Sequence, residues 1–238
     1  MIIAGPCSVE SKLQLEQTFK RIYKHIDIFR AGVWKARSSV SDYTGYGDNS
    51  LQWLNTLQSI YSVPVAVEVG TPRHVELALA HNINFVWIGA RTTVNSFYVQ
   101  EIAESLRGSD VEIWVKNPIY SDLKLWHGSI NRMEHVGLTK IKAIHRGFYH
   151  ENSTFYRNDP RWDLLKKFHK NRPDIPIICD PSHICGNRLH ILETCKKAIE
   201  QDVNSFMIEA HVKPANALSD SLQQLNPLEL IKLISCIT

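Results

Sequence analysis

The stretch FVWIGARTTVNSFYVQEIAESL at residues 85–106 has the pattern of one buried strand followed by one helix. Residues 85–89 are apolar without a polar alternation, as in a strand that is covered on both faces. Residues 96–106 carry apolar side chains three and four positions apart, which is typical of an amphipathic helix. Arg91 lies in the turn between them. This unit predicts a parallel α/β fold with polar groups at the strand ends.

The same unit recurs along the whole chain. Short apolar segments predict eight strands, at residues 2–6, 28–33, 65–69, 85–89, 113–116, 141–144, 177–180 and 206–209. Helical patterns follow them, including 96–106, 120–136 and 162–169, and Thr71-Pro72 and Asn226-Pro227 are typical helix starts. Eight such units in 238 residues predict a single-domain (β/α)8 TIM barrel over residues 1–238. An open doubly wound sheet is the alternative, but the first predicted strand lacks its glycine-rich phosphate loop.

Composition narrows the function classes. The chain is 44% apolar and 21% charged, as globular proteins are. No apolar run approaches the ~18 residues of a membrane span. The first residues lack the basic segment of a signal peptide, so we expect a cytoplasmic protein. A net charge of +3 argues against nucleic acid and suits small anionic ligands. Five cysteines without a C-x-x-C pair predict reduced thiols.

Basic side chains follow several predicted strands. A TIM barrel builds its active site at the C-terminal ends of its strands. Neighbouring strands 4, 5 and 6 present Arg91, Lys116 and Arg146 there, and guanidinium groups bind phosphate and carboxylate oxygens in pairs. Strand 2 extends this basic field with Arg30, Lys35 and Arg37. The sequence therefore predicts a binding site for more than one anionic group.

A second set of side chains follows the first and the last two strands. It consists of Cys7, His183, Glu209 and Asp220. An imidazole, a thiolate and two carboxylates suit a divalent transition metal (manganese, iron, cobalt or zinc) better than magnesium or calcium alone. Taken singly, a buried cysteine is commonly a core residue and a glutamate can pair with an arginine. Their coincidence at one end of a barrel favours the metal site.

Seven ordered segments give the sequence a family resemblance. They are AGPCSVES at 4–11, FRAGVWKARSS at 29–39, IGARTT at 88–93, VKNP at 115–118, HRGF at 145–148, CDPSH at 179–183, and IEAH at 208–211 with the downstream Asp220. The chain resembles the type I 3-deoxy-D-arabino-heptulosonate 7-phosphate (DAHP) synthases, and especially the barrel that some bacteria fuse to chorismate mutase. The resemblance implies a metal-dependent condensation of phosphoenolpyruvate with D-erythrose 4-phosphate that releases phosphate, the first step of the shikimate pathway to chorismate and the aromatic amino acids.

The resemblance also implies a role for each candidate residue. The implied metal ligands are Cys7, His183, Glu209 and Asp220. Phosphoenolpyruvate is expected to contact Arg91, Lys116 and Arg146, with Arg30 near its carboxylate. The expected contacts of erythrose 4-phosphate are Arg37 and Ser38, with Lys35 between the two substrates. The implied catalytic residues are Lys35, Lys116, His183 and Cys7.

One segment departs from the family pattern. The family has K-P-R-[ST] where this chain has Lys35-Ala36-Arg37-Ser38, and alanine leaves free a backbone φ that proline would fix. The alanine is similar to the K-A-N-R-S-S of Kdo8P synthase, but the asparagine is absent. The spacing favours the four-carbon aldose phosphate. A Kdo8P synthase-like or sialic acid synthase-like enzyme with another aldose is the alternative.

The remaining expectations concern partners and regulation. The sequence shows no ferredoxin-like regulatory domain and no mutase domain, so we expect no feedback control by an appended domain. Control by a partner in trans, such as a chorismate mutase, and no feedback control at all are the two alternatives. By resemblance we also expect a homo-oligomer. A non-catalytic barrel that partners a chorismate mutase is the alternative from a different functional class.

Overall fold

Eight parallel strands close into a barrel. The computed structural model describes residues 1–37, 39–151 and 155–238. The strands are β1 (Ile2–Gly5), β2 (Ile28–Ala31), β3 (Val65–Val69), β4 (Phe85–Ile88), β5 (Glu112–Lys116), β6 (Ile141–His145), β7 (Ile177–Cys179) and β8 (Phe206–Glu209). Each pairs with its neighbours in chain order, and β8 returns to β1. The predicted (β/α)8 barrel is confirmed.

Helices follow the strands. They are α1 (Lys12–Ile22), α2 (Ser50–Tyr61), α3 (Pro72–Ala80), α4 (Ala90–Thr93), α5 (Ser96–Leu106), α6 (Leu123–His135), α7 (Trp162–Asn171), α8 (Pro181–Cys185), α9 (Ile191–Ile199) and α10 (Pro227–Ile237). Thr71 and Asn226 cap α3 and α10 as predicted. The prediction for 120–136 begins too early, because Asp122 accepts a hydrogen bond from the Leu125 N–H and caps α6 there. No helix in the described ranges is long and apolar enough to cross a membrane.

The inner face of the barrel explains where the polar site lies. An inner layer is formed by Ile3, Ile28, Ala66, Trp87, Trp114, Ile144, Ile178 and Met207. Side chains alternate along a strand, so the residue two positions later points the same way, nearer the C-terminal mouth. Those next positions are Gly5, Arg30, Glu68, Gly89, Lys116, Arg146, Asp180 and Glu209. The apolar layer closes the barrel below, and the charged layer faces its mouth.

The first and last strands meet along a full register. Ile2 pairs with Phe206, Gly5 pairs with Glu209, and the Ala210 N–H donates to the Gly5 carbonyl at 2.8 Å. This β1–β8 junction brings Cys7, near the beginning of the chain, next to residues that follow β8. A metal site that includes Cys7 therefore depends on barrel closure.

Candidate active site

The mouth of the barrel contains a cavity of about 320 Å³. Charged and polar side chains supply much of its lining: Lys35, Arg37, Glu68, Arg91, Lys116, Arg146, Arg157, Asn158, His183 and Asp220. Cationic groups outnumber the carboxylates among them. Because converging cations repel one another without counter-ions, this lining suits a ligand with several negative charges.

Three of the predicted metal ligands come together at the β1–β8 junction. The ligand atoms of Cys7, Glu209 and Asp220 lie within 4.8 Å of one another. Burial raises the pKa of the Cys7 thiol to about 12, and the Glu209 carboxylate adds to that effect. The neutral thiol donates to Asp220 Oδ2 at 3.1 Å. A thiolate at this position therefore needs a cation beside it.

His183 adjoins this group through Glu209. Its Nδ1 donates to Asp180 Oδ1 at 3.0 Å, and its Nε2 lies 3.7 Å from Glu209 Oε1. Burial lowers the pKa of His183, although the Asp180 carboxylate opposes this. A carboxylate on one ring nitrogen fixes the tautomer that leaves the other free to bind a metal.

Glu209 is fully buried and carries an unsatisfied oxygen. Its Oε2 accepts from Gln223 at 2.7 Å, whereas Oε1 accepts no hydrogen bond within the described part of the chain. Burial opposes ionisation of Glu209, but His183 and Arg30 hold its pKa below the ordinary value. An ionised oxygen that accepts no hydrogen bond, beside a thiol and an imidazole, fits a divalent transition metal.

Arg30 lies below the cavity rather than in its lining. Its side chain is fully buried, with Nη2 3.1 Å from Glu209 Oε1 and the guanidinium 5.1 Å from the centre of the Trp87 ring. Its three guanidinium nitrogens make no hydrogen bond to the described residues. The structure thus shows Arg30 as the ion-pair partner of Glu209, and its predicted contact with a substrate carboxylate stays a prediction.

The cations predicted after strands 4, 5 and 6 all line the cavity. Lys116 Nζ donates to Asp180 Oδ2 at 2.7 Å. Arg146 Nη1 donates to Asn158 Oδ1 at 2.8 Å, and burial lowers the pKa of Arg146 to about 10. Arg91 donates to the Ala36 carbonyl at 3.4 Å. These contacts hold the cationic groups of three strands around one space.

The loop after β2 supplies the remaining predicted residues. Lys35 Nζ lies 3.9 Å from Glu68 Oε2, and Arg37 Nη1 lies 3.8 Å from Asp220 Oδ2. Both side chains line the cavity. Ser38, the other predicted contact of the aldose phosphate, lies outside the described residues.

Sequence reasoning missed several residues of this site. Arg157 Nη1 donates to Asp220 Oδ1 and to Gln223 Oε1, both at 2.8 Å. Asn158 and Glu68 also line the cavity. The strand pattern does place Glu68 at the mouth, two positions after Ala66, but gives it no role in the predicted site. Arg157 lies in a long connection before α7, where no periodic pattern marks it.

Comparison with known families agrees with this geometry. The model of the DAHP synthetase I family matches residues 1–237. The chain belongs to the DAHP synthetase I family. A Thermotoga maritima phospho-2-dehydro-3-deoxyheptonate aldolase is 29% identical over 237 residues, which cover 97% of this chain and 66% of the relative. The chain thus spans about two thirds of that relative's length. The resemblance inferred from the seven segments is confirmed.

Other members of the comparison are more distant. A 2-dehydro-3-deoxyphosphooctonate aldolase from Pseudomonas savastanoi pv. phaseolicola is 24% identical and covers 92% of this chain and 82% of its own length. The crystal structure of the Thermotoga maritima DAHP synthase superposes with a TM-score of 0.88 at 24% identity, covering 99% of this chain and 67% of that one. A truncated form of the Thermotoga maritima enzyme superposes with a TM-score of 0.83 at 23% identity, covering 99% of this chain and 84% of that one. These likenesses support the barrel fold of the DAHP synthetase I family member described here.

Proposed function

We propose that this chain is a 3-deoxy-7-phosphoheptulonate synthase, a transferase that condenses phosphoenolpyruvate with D-erythrose 4-phosphate and releases phosphate. Family membership supports this activity, and it would place the enzyme at the first step of the shikimate pathway. One observation carries the proposal: one cavity of about 320 Å³ is lined both by cationic side chains and by His183 and Asp220 of the predicted metal ligands, and the ligand atoms of Cys7 and Glu209 lie within 4.8 Å of that of Asp220. The reaction needs both, because two anionic substrates must meet beside an electrophilic carbonyl.

The metal half would be built from Cys7, His183, Glu209 and Asp220. When bound there, a divalent cation would act as a Lewis acid toward the aldehyde oxygen. The chain's own contribution is to fix the ligands. Asp180 orients the His183 ring, and Gln223 holds one oxygen of Glu209 while the other forms an ion pair with Arg30. The ligand set suits manganese, iron, cobalt or zinc.

The phosphoenolpyruvate half would be built from Lys116, Arg146 and Arg91. Their charges match those of a phosphate and a carboxylate held at fixed separation. Asn158 and Asp180 keep two of these cations in place before substrate arrives, so little reorganisation is needed on binding. Arg30 remains a proposed contact of the substrate carboxylate: it forms an ion pair with Glu209, but its guanidinium nitrogens make no hydrogen bond to the described residues, which supports that role.

The aldose half would be built from Lys35 and Arg37, with Ser38 as a further predicted contact. In the proposed reaction, C3 of phosphoenolpyruvate bonds to the aldehyde carbon, and the aldehyde oxygen takes up a proton. Water then adds to C2, and phosphate leaves. Lys35 lies near Glu68, so this pair can hold and pass a proton between the two substrates. Positioning and electrostatics supply the rate enhancement.

Phosphate release is the assay that tests this function. We expect release from phosphoenolpyruvate with erythrose 4-phosphate, little release with arabinose 5-phosphate, and none with a chelator present. Ala36 and the phosphooctonate aldolase relatives favour the Kdo8P synthase-like alternative. A preference for arabinose 5-phosphate would therefore identify the chain as a Kdo8P synthase-like enzyme. No release with either aldose and any divalent metal would favour the non-catalytic barrel.

Partners and location stay proposals beside this activity. We propose a cytoplasmic homo-oligomer that acts on small molecules and binds neither nucleic acid nor membranes. A chorismate mutase in trans is the proposed regulator. Gel filtration of the purified chain, alone and with a mutase, measures both associations.

A further inference from the structure

We propose that Trp34 is a positioning residue that sets the aldose-phosphate half of the cavity through a clamp formed with His74 and Asp48. The proposal rests on the proposed function only for the name of the substrate. Trp34 immediately precedes Lys35 in the loop after β2, yet it is not among the residues that line the cavity. Its effect must therefore act through the backbone that carries Lys35 and Arg37.

The clamp holds the Trp34 ring on two sides. The rings of Trp34 and His74 stack with centroids 4.0 Å apart and planes 4° from parallel. Trp34 Nε1 donates to Asp48 Oδ1 at 2.9 Å, and the other oxygen of Asp48 accepts from Arg73 at 2.7 Å. Face and edge of the indole are thus both fixed to groups outside the Lys35–Arg37 segment.

His74 is itself held rigidly. Its Nδ1 accepts from the Gly70 N–H at 3.2 Å, and its backbone N–H donates to the Thr71 side chain that caps α3. Burial lowers the pKa of His74, so the stacked ring is neutral at pH 7. The imidazole therefore offers Trp34 a flat face whose orientation is set by the end of β3.

The same clamp fixes both members of the Lys35–Glu68 pair. Glu68 lies on β3, two residues before Gly70, which binds His74. Lys35 follows Trp34, which stacks on His74. The clamp thus links the loop that carries Lys35 to the strand that carries Glu68, in addition to the direct Lys35–Glu68 contact.

Backbone contacts close the loop behind the clamp. The Lys35 N–H donates to the Thr44 carbonyl at 2.9 Å, and the Gly47 N–H donates to the Val33 carbonyl at 3.1 Å. Gly45 has a φ of +91°, and a Cβ there would lie 2.2 Å from the Val33 carbonyl oxygen. The loop is therefore folded back tightly on the segment that carries Trp34. A free φ at Ala36 makes an external restraint of this kind necessary.

The clamp itself lies outside the other two parts of the site, but the loop that it holds touches each of them: the Ala36 carbonyl accepts from Arg91 at 3.4 Å, and Arg37 Nη1 lies 3.8 Å from Asp220 Oδ2. The residues that it joins belong to the β2 loop and the start of α3, whereas the metal-ligand set lies at the β1–β8 junction. The phosphoenolpyruvate cations follow β4, β5 and β6. Because Lys35 and Arg37 belong to the loop itself, loosening the clamp should affect the aldose phosphate more than phosphoenolpyruvate.

Steady-state kinetics of Trp34→Leu and Trp34→Phe separate this role from general destabilisation. We expect Trp34→Leu to raise the KM for erythrose 4-phosphate about 10- to 100-fold, since an ångström of misplacement has effects of that size. The KM for phosphoenolpyruvate should stay within about twofold. Trp34→Phe keeps an aromatic face on His74 and should recover most of the loss. Tyr61→Leu, which removes another half-buried aromatic side chain, is the matched control and should leave the ratio of the two KM values unchanged.

Amide hydrogen exchange on the protein without substrates gives a readout that needs no activity. Trp34→Leu should speed exchange at Lys35 and Gly47 and leave the strands β4 and β8 unchanged. Unaltered exchange at both amides, or equal rises in both KM values, would overturn the proposal. If Trp34→Leu fails to fold, steady-state kinetics and amide hydrogen exchange are measured on Trp34→Phe and His74→Ala instead. If the wild-type chain turns over no aldose phosphate, the proposed function fails while the exchange result still decides whether the clamp orders this loop.

Discussion

The buried ion pair below the cavity permits a quantitative prediction for Arg30→Met. Arg30 Nη2 and Glu209 Oε1 lie 3.1 Å apart, and both side chains are fully buried. At that separation, opposite unit charges attract by about 5 kcal/mol for an effective dielectric constant of ~20. Methionine keeps an apolar contact with the Trp87 ring but leaves the Glu209 carboxylate without its cation. We expect the free energy of unfolding to fall by about 3–5 kcal/mol.

Thermal and urea unfolding of the metal-free protein measure this loss. For a chain of this size the melting temperature should fall by about 6–20 °C. Glu209→Gln combined with Arg30→Met removes both charges, so the double variant should lose less stability than the two single variants together. Lys140→Met is the matched control, since Lys140 pairs with Asp110 at 2.6 Å in an exposed position, and its melting temperature should hardly change. A loss below about 1 kcal/mol for Arg30→Met, or strictly additive variants, would refute the reasoning.

Three further predictions concern the metal ligands, the cavity wall and the response to pH. Cys7→Ser should lower the manganese or zinc retained after dialysis, as measured by elemental analysis, and unchanged retention would remove Cys7 from the ligand set. Gly89→Ala should lower kcat in the phosphate-release assay, because the added Cβ would lie 2.2 Å from Glu68 Oε1 and displace that side chain. Gly128→Ala is the control and should leave kcat unchanged, since its added Cβ meets no atom within 4 Å. Burial lowers the pKa of His145 from 6.5 to about 4. Between these two pH values the unfolded chain binds a proton that the folded chain does not, so the free energy of unfolding decreases as the pH is lowered. Urea titrations of His145→Phe should show a shallower fall than the wild type, and parallel curves would contradict the assignment.

Much of the fold was predictable because buried parallel strands have a simple signature. The predicted strand at 85–89 and the observed Phe85–Ile88 differ by one residue, and helix 96–106 is observed as Ser96–Leu106. The short helices Ala90–Thr93 and Pro181–Cys185 were not predicted. A single turn is too short to show a helical period, and these turns are held by the tertiary contacts of the barrel mouth.

The site was predictable in part for the same reason. Residues at the ends of strands, such as Lys116 and Glu209, follow from the alternation of the barrel interior. Arg157 and Trp34 lie in connections between strands, where the contacts that define a role come from distant segments. Asp220 adopts a φ of +47°, and that local strain has no sequence signal at an aspartate. Contacts of this kind become visible only when the folded chain is known.

The β1–β8 junction has a consequence for folding. Cys7 and Asp220 are separated by 213 positions, and they come into contact only when the first and last strands, β1 and β8, have paired. A metal ion bound by both residues would stabilise the β1–β8 junction, because a ligand that binds only the closed barrel stabilises it by mass action. Metal binding by this chain would therefore favour the closed barrel over any form in which β1 and β8 are apart.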